Sequence, residues 1–192
     1  MEKMEQIGKA VLDYRFYPED DKYTDGAIED EMLEIARNCA PEQYERVIVE
    51  KKSWPILYHF SYLRENIIRW LPMDGSENVL EIGAGPGAIT GALCEKGRQV
   101  TVIDLSKKRC LINAYRHKDC DNLHFLVGNF QDIEPKLTEQ YDLITLIGVF
   151  EYAQFSIQSE DPFVDYLKRI RTHLAKGGRL VIAIENRIGL KY

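Results

Sequence analysis

The chain has 192 residues, 45% of them hydrophobic and 29% charged, which suits one compact domain with an N-terminal extension and a core of useful size. A formal charge of -6, with no long Lys/Arg run, argues against broad binding to nucleic acid. The four cysteines, Cys39, Cys94, Cys110 and Cys120, form no C-x-x-C pair, so reduced thiols in a cytoplasmic protein are expected rather than a disulfide framework or zinc knuckle. Met1-Glu2-Lys3-Met4-Glu5 lacks the apolar core of a signal peptide, and no run of about 18 apolar residues offers membrane insertion.

Residues 1 to about 23 alternate between polar and aromatic types and read as an irregular arm docked by Tyr14, Phe16 and Tyr17. Its acidic cluster, Glu19-Asp20-Asp21, has no histidine nearby and reads as a solvated loop rather than a metal site. Thr24-Asp25 suits a helix cap, and Ile28, Met32, Ile35 and Ala36 recur at helical spacing to about Asn38. Pro41 opens a second short helix. A third is expected over 54–71, with Leu57, Phe60, Leu63, Ile67 and Leu71 as its apolar stripe. A boundary near residue 73 then divides a 1–73 arm and helical cap from a 74–192 α/β part. Beyond it, strands at 78–82, 99–104, 123–127, 141–147 and 179–185 alternate with helices at 87–96, 106–117 and 161–175. Lys176-Gly177-Gly178 reads as a helix stop. Such alternation predicts an α/β fold, a doubly wound, mainly parallel sheet with right-handed crossovers.

The chemistry centres on Val79-Leu80-Glu81-Ile82-Gly83-Ala84-Gly85-Pro86-Gly87. An apolar strand runs into glycines that permit unusual backbone shapes and close ligand approach, and a helix follows. Asp104 ends the second strand about twenty residues later, where a carboxylate can accept both ribose hydroxyls; capping the next helix is its structural alternative. Asn129 and Phe130, after the third strand, suit an adenine amine and ring, or simply a turn and a core aromatic. Gly148, after the fourth, allows close backbone approach. Four strand ends therefore offer ligand-type residues on one edge.

Together these stretches resemble class I S-adenosylmethionine-dependent methyltransferases: VLEIGAGPGAIT at 79–90, VTVIDLS at 100–106, VGNF at 127–130, YDLITLIGVFEYA at 141–153 and LAKGGRLVIAIEN at 174–186. The resemblance implies a Rossmann-like sheet and S-adenosylmethionine as cofactor. Glu81 would orient the turn, and Gly83, Ala84, Gly85 and Gly87 would surround the methionine part. Asp104 would bind ribose, with Leu105 beside adenine. Asn129 stands where the family often has Asp. Ile147 and Gly148 would meet the methionine amine. The segments WPILYHFSYLREN at 54–66, INAYRHKD at 112–119 and IENRIGLKY at 184–192 resemble methyltransferase modules of bacterial polysaccharide-biosynthesis or glycosyltransferase-associated proteins. That likeness implies a small-molecule or sugar acceptor, and fusion to or association with a glycosyltransferase. The family sheet closes with a sixth and an antiparallel seventh strand, and the sequence ends after the fifth, so the last two are expected to be missing.

A base is needed only if the acceptor has a proton to lose. Glu151 after the fourth strand and His59 on the 54–71 helix are the catalytic candidates; a helix-start carboxylate and a packed histidine are the structural alternatives. Tyr58 and Arg64 lie where they could meet the cofactor carboxylate. No metal-ligand spacing stands out. Two other functions compete. A nicotinamide-dependent oxidoreductase would also use the glycine turn and Asp104. A non-catalytic cofactor-binding module of a larger polysaccharide-biosynthesis protein would keep the fold alone.

Overall fold

In a computed structural model of the chain, residues 3–21, 24–157 and 159–185 are described. The strands are β1 (Met4–Ile7), β2 (Ala10–Phe16), β3 (Asn78–Ile82), β4 (Gln99–Asp104), β5 (Leu123–Gly128), β6 (Tyr141–Ile147) and β7 (Leu174–Ala183). They form one seven-stranded sheet in the order β1-β2-β5-β4-β3-β6-β7. Strands β2 to β7 run parallel, and β1 is antiparallel to β2. The helices are α1 (Ala27–Asn38), α2 (Tyr44–Lys51), α3 (Trp54–Phe60), α4 (Asn66–Arg69), α5 (Thr90–Lys96), α6 (Lys107–Arg116), α7 (Phe130–Ile133), α8 (Ala153–Ser156) and α9 (Pro162–Thr172).

The two-residue period of the strands divides the core. Val79, Val100, Val102, Phe125 and Leu143 face one side, against Leu93 of α5, Ala114 of α6 and Ile68 of α4. Leu80, Ile82, Ile103, Ile144 and Leu146 face the other, against Phe130 of α7 and Tyr166 and Ile170 of α9. An outer layer of α1 to α3 packs on α6 through Met32, Ile35, Tyr44, Ile56, Phe60 and the fully buried Ile112. The α/β doubly wound sheet expected from the sequence is therefore present, and one strand after another ends on the same edge.

Several local expectations differ. The irregular arm is a β-hairpin. Ala10, Leu12 and Tyr14 alternate into the core, and the turn is anchored where Lys9 N–H donates to the Lys118 carbonyl at 2.6 Å. The hairpin extends the sheet beside β5, the edge far from β7, and brings it to seven strands among the described residues. The 54–71 helix is broken at Ser61, which is extended (ψ 125°) and accepts from the Leu63 N–H to start a 3-10 turn. The 87–96 helix begins only at Thr90, because Gly83, Gly85 and Gly87 all have left-handed φ. The 161–175 helix ends at Thr172. Lys176-Gly177-Gly178 is not a helix stop but part of a bulge inside β7, where Tyr141 pairs with Leu174 and Leu143 with Arg179. Residues 186–192 of the C-terminal matching segment lie outside the described residues.

Candidate functional site

Strand β3 lies between β4 and β6, so connections diverge in opposite directions from its carboxyl end. Ligands of open α/β sheets bind at such a switch point. A cleft of about 470 Å³ opens there, with Gly83, Gly85, Asp104 and Leu105 on one side and Asn129, Phe130, Gly148 and Tyr166 on the other. A smaller cavity adjoins it, sharing Ile82 and Gly83 and walled by Arg64, Glu81, Ala84, Thr145 and Ile147.

The glycine turn is shaped by its neighbours. A Cβ on Gly83 would strike Val149, and one on Gly87 would strike the Asn113 amide. Gly85, at φ +54°, has nothing within 4 Å of a Cβ position, so its open side belongs to the cleft. Gly87 lines neither cavity and shapes the turn from below.

Strand alternation turns Glu81 toward α5. It is 2% exposed, and Thr90 Oγ1 donates to its Oε2 at 2.7 Å. Burial pushes its carboxyl up to about 8, with Asp104 adding to the rise and Thr90 and Arg116 opposing it. Asp104 is also buried. Gly85 N–H donates to its Oδ2 at 2.8 Å and Ser106 N–H to its Oδ1 at 2.9 Å. Burial raises its pKa against those two hydrogen bonds. Helix capping falls to Ser106, whose Oγ accepts from Arg109 N–H.

The other predicted residues divide. Leu105 is 41% exposed at the cleft. Asn129 is exposed there, and its Oδ1 accepts from Gln131 N–H at the start of α7. Phe130 lines the cleft but is buried, stacked on Tyr166 with centroids 5.0 Å apart. Gly148 donates its N–H to Ala183. Tyr58, His59 and Glu151 line neither cavity. Tyr58 instead carries the Arg64 guanidinium 4.1 Å from its ring centroid. Burial, reinforced by Arg109, Arg116 and Arg64, lowers the His59 pKa to about 4, so its imidazole is neutral near pH 7. Glu151 turns one oxygen toward Gly148, while its Oε2 is closed off from solvent with no hydrogen-bond partner.

The cleft also involves residues outside the sequence motifs. Val149, Tyr152 and Tyr166 line it, and so does Arg109, which pairs with Glu29 at 2.7 Å and Asp25 at 2.6 Å. At the smaller cavity, Arg64 Nε and Thr145 Oγ1 are buried without a partner. Tyr58 and Arg64, expected on one helix over 54–71, fall on separate elements because the chain breaks at Ser61. The acidic cluster has a structural use: Asp21 accepts from Lys107 and Lys108 N–H at the start of α6.

A family profile described as "Methyltransferase domain" matches residues 80–180, more than half of the chain. The chain belongs to this family of S-adenosylmethionine-dependent methyltransferases. An uncharacterised methyltransferase of Staphylococcus carnosus is 29% identical over 154 residues, covering 79% of this chain and 67% of the relative. The fold is similar to that of Haemonchus contortus phosphoethanolamine N-methyltransferase 1 in complex with phosphoethanolamine and S-adenosylhomocysteine. That match has a TM-score of 0.55 and 18% identity, and covers 83% of this chain but only 33% of the other. It is also similar to DhpI in a complex with SAM and HEP, with a TM-score of 0.54, 21% identity, and coverage of 86% and 70%. The family match gives the oxidoreductase alternative no support. Among the described residues, no helix is long and apolar enough to cross a membrane.

Proposed function

We propose that the two cavities together hold S-adenosylmethionine and that the chain transfers its methyl group to a small-molecule or glycan-linked acceptor. One observation carries this reading. Arg64, with a buried unpartnered Nε, and Glu81 wall the same small cavity against Gly83 and Ala84. A cation and a carboxyl on the wall of one cavity suit the carboxylate and amine of an α-amino acid. The adjoining cleft, with Asp104, suits a nucleoside. S-adenosylmethionine joins those two groups in one molecule; a nicotinamide dinucleotide has no amino-acid end.

The bound donor supplies an electrophilic methyl on a sulfonium, and the protein supplies alignment. In this reading Arg64 holds the carboxylate, and Glu81 receives the amine with the Ile147–Gly148 backbone. Asp104 accepts ribose hydroxyls through the lone pairs its two backbone donors leave free. Leu105 and Phe130 flank the adenine, and Asn129 uses the remaining capacity of its amide. Gly85 keeps its side of the cleft clear of side-chain atoms. Tyr58 acts through Arg64, by carrying its guanidinium.

For the acceptor, Tyr152 and Tyr166 offer apolar walls with polar tips. Glu151, which turns its Oε1 toward Gly148 at the rim of the cleft, is the better-placed base. A neutral His59 retains basic capacity but lines neither cavity. The named substrate of one fold relative, phosphoethanolamine, supports trying small amines first. A sugar acceptor and association with a glycosyltransferase rest on the resemblance of 54–66, 112–119 and 184–192. A cytoplasmic location rests on the four free thiols. The test is incubation with methyl-labelled S-adenosylmethionine and panels of amines, sugars and sugar nucleotides. Acceptor-dependent label transfer with formation of S-adenosylhomocysteine is expected. Donor binding without transfer to any acceptor would favour a non-catalytic module.

A further inference from the structure

The inner end of α6 carries a buried polar chain that ends on Glu81. His117 Nδ1 lies 2.8 Å from Asn113 Oδ1 and 3.0 Å from the Asn113 carbonyl. Both are pure acceptors, so the imidazole proton sits on Nδ1. With Asn113 Oδ1 accepting from His117, its Nδ2 donates to Thr90 Oγ1 at 2.9 Å. Thr90, whose oxygen is thus engaged as an acceptor, turns its own proton to Glu81 Oε2 at 2.7 Å. Every hydrogen bond points the same way, toward the carboxyl in the wall of the small cavity. Thr90 and Asn113 have no exposed surface. The Asn113 amide also fills the space a Cβ would need on Gly87, at the far end of the glycine turn.

We propose that Asn113 is a positioning residue for the methyl donor, orienting the Glu81 carboxyl through Thr90 and seating the Gly87 end of the glycine turn by direct contact. His117 fixes which way the Asn113 amide faces. The inference rests on the donor site proposed above. It adds that the donor's amino-acid end is held from α6, by side chains that line neither cavity.

The obvious alternative is a buried network that only stabilises the fold, and paired variants separate the two. Thr90→Val keeps the shape and removes the donor to Glu81; Thr90→Ser restores the hydroxyl. Asn113→Asp keeps the size and, when ionised, accepts only, so it draws the Thr90 proton away from Glu81. Affinity for S-adenosylhomocysteine is measured by calorimetry from pH 6 to 9, with melting temperature followed in parallel. The groups facing Glu81 in such a profile are Asp104, Arg116 and the Cys94 thiol of α5, with Arg64 on the wall of the same small cavity. The expected result is roughly tenfold weaker binding in Thr90→Val and Asn113→Asp, the usual scale for one hydrogen bond to a charged group. The binding midpoint in pH should rise, because Glu81 has lost a bond that favours its ionised form. Thr90→Ser should bind like the wild type. Unchanged affinity and pH profile in folded Thr90→Val would overturn the inference. So would a Thr90→Ser protein as impaired as Thr90→Val, since packing would then be the cause. If Asn113→Asp does not fold, the Thr90 pair decides. Failure of the wild type to bind S-adenosylhomocysteine would instead overturn the donor site itself.

Discussion

At the scale of single residues, one carboxyl and two glycines have separable consequences. Glu81 is raised by burial to about 8 in the folded chain, above its ordinary value of 4.5. A carboxyl raised on folding favours the fold while it is protonated, and that contribution is lost as pH climbs from about 4.5 through 8. Chemical denaturation from pH 5 to 9 should therefore show the wild type losing stability relative to Glu81→Gln, by on the order of a few kcal/mol. Parallel curves for the two proteins would contradict the burial argument. Gly85→Ala and Gly87→Ala should also differ. Both positions have left-handed φ, costing roughly 1 kcal/mol for any side chain. Only at Gly87 does the new methyl collide, with Asn113. Gly87→Ala should thus lose clearly more stability, while Gly85→Ala stays folded and weakens donor binding as its methyl enters the cleft. Melting curves with and without S-adenosylhomocysteine distinguish the two outcomes. The glycines and Asp104 were legible because they sit at strand ends, where apolar runs stop abruptly. Asn113 carries no such local mark, since its importance comes from Thr90 and Gly87, more than twenty residues earlier in the chain.

At the scale of elements, α6 ties the parts of the site together. On one face Asn113 meets the glycine turn, and Arg116 Nη1 donates to the Pro86 carbonyl at 2.6 Å and the His59 carbonyl at 2.8 Å. The Arg116 guanidinium also lies 4.7 Å from the Phe60 ring centroid. One arginine thereby joins α3 to the turn. Arg116→Met keeps much of the stem but leaves two carbonyls unpaired, and should cost about 2–4 kcal/mol of stability. It should also weaken donor binding, because the Arg64 segment follows α3 directly; calorimetry after a check of melting temperature reads this. Helix existence was readable here from apolar spacing, and helix ends less so. The 54–71 stripe continues through Ser61, yet the serine is extended, its Oγ accepts from Leu63 N–H at 3.4 Å, and the helix breaks there. The first helix after the turn starts late for a different reason, since left-handed glycines cannot lie inside it.

At the scale of the whole molecule, the N-terminal residues build part of the sheet as well as covering it. Ala10, Leu12 and Tyr14 are buried against β5, and they occupy the edge that β5 would otherwise present to solvent. Leu12→Ala should cost about 2–5 kcal/mol, the range for a fully buried leucine, and lower the denaturant midpoint accordingly. A loss under about 0.5 kcal/mol, the scale of a surface change, would show that the hairpin is a loosely attached arm after all. The hairpin was hidden in the sequence because its buried positions are interleaved with Asp13 and Arg15, whose ion pair satisfies a carboxylate with no exposed surface. The parallel strands were easier to read, being apolar on both faces. Their order and shared edge made the proposed donor site legible, whereas the side chains proposed for the acceptor, Tyr152 and Tyr166, come from the loop after β6 and from α9, which meet only in the fold.

The most direct test of the central claim is a calorimetric titration of the chain with S-adenosylhomocysteine, alongside NAD and the Arg64→Met variant. Saturable binding of S-adenosylhomocysteine at a single site, none of NAD, and clear weakening in Arg64→Met are predicted. NAD binding in place of S-adenosylhomocysteine, or full affinity without Arg64, would contradict the account.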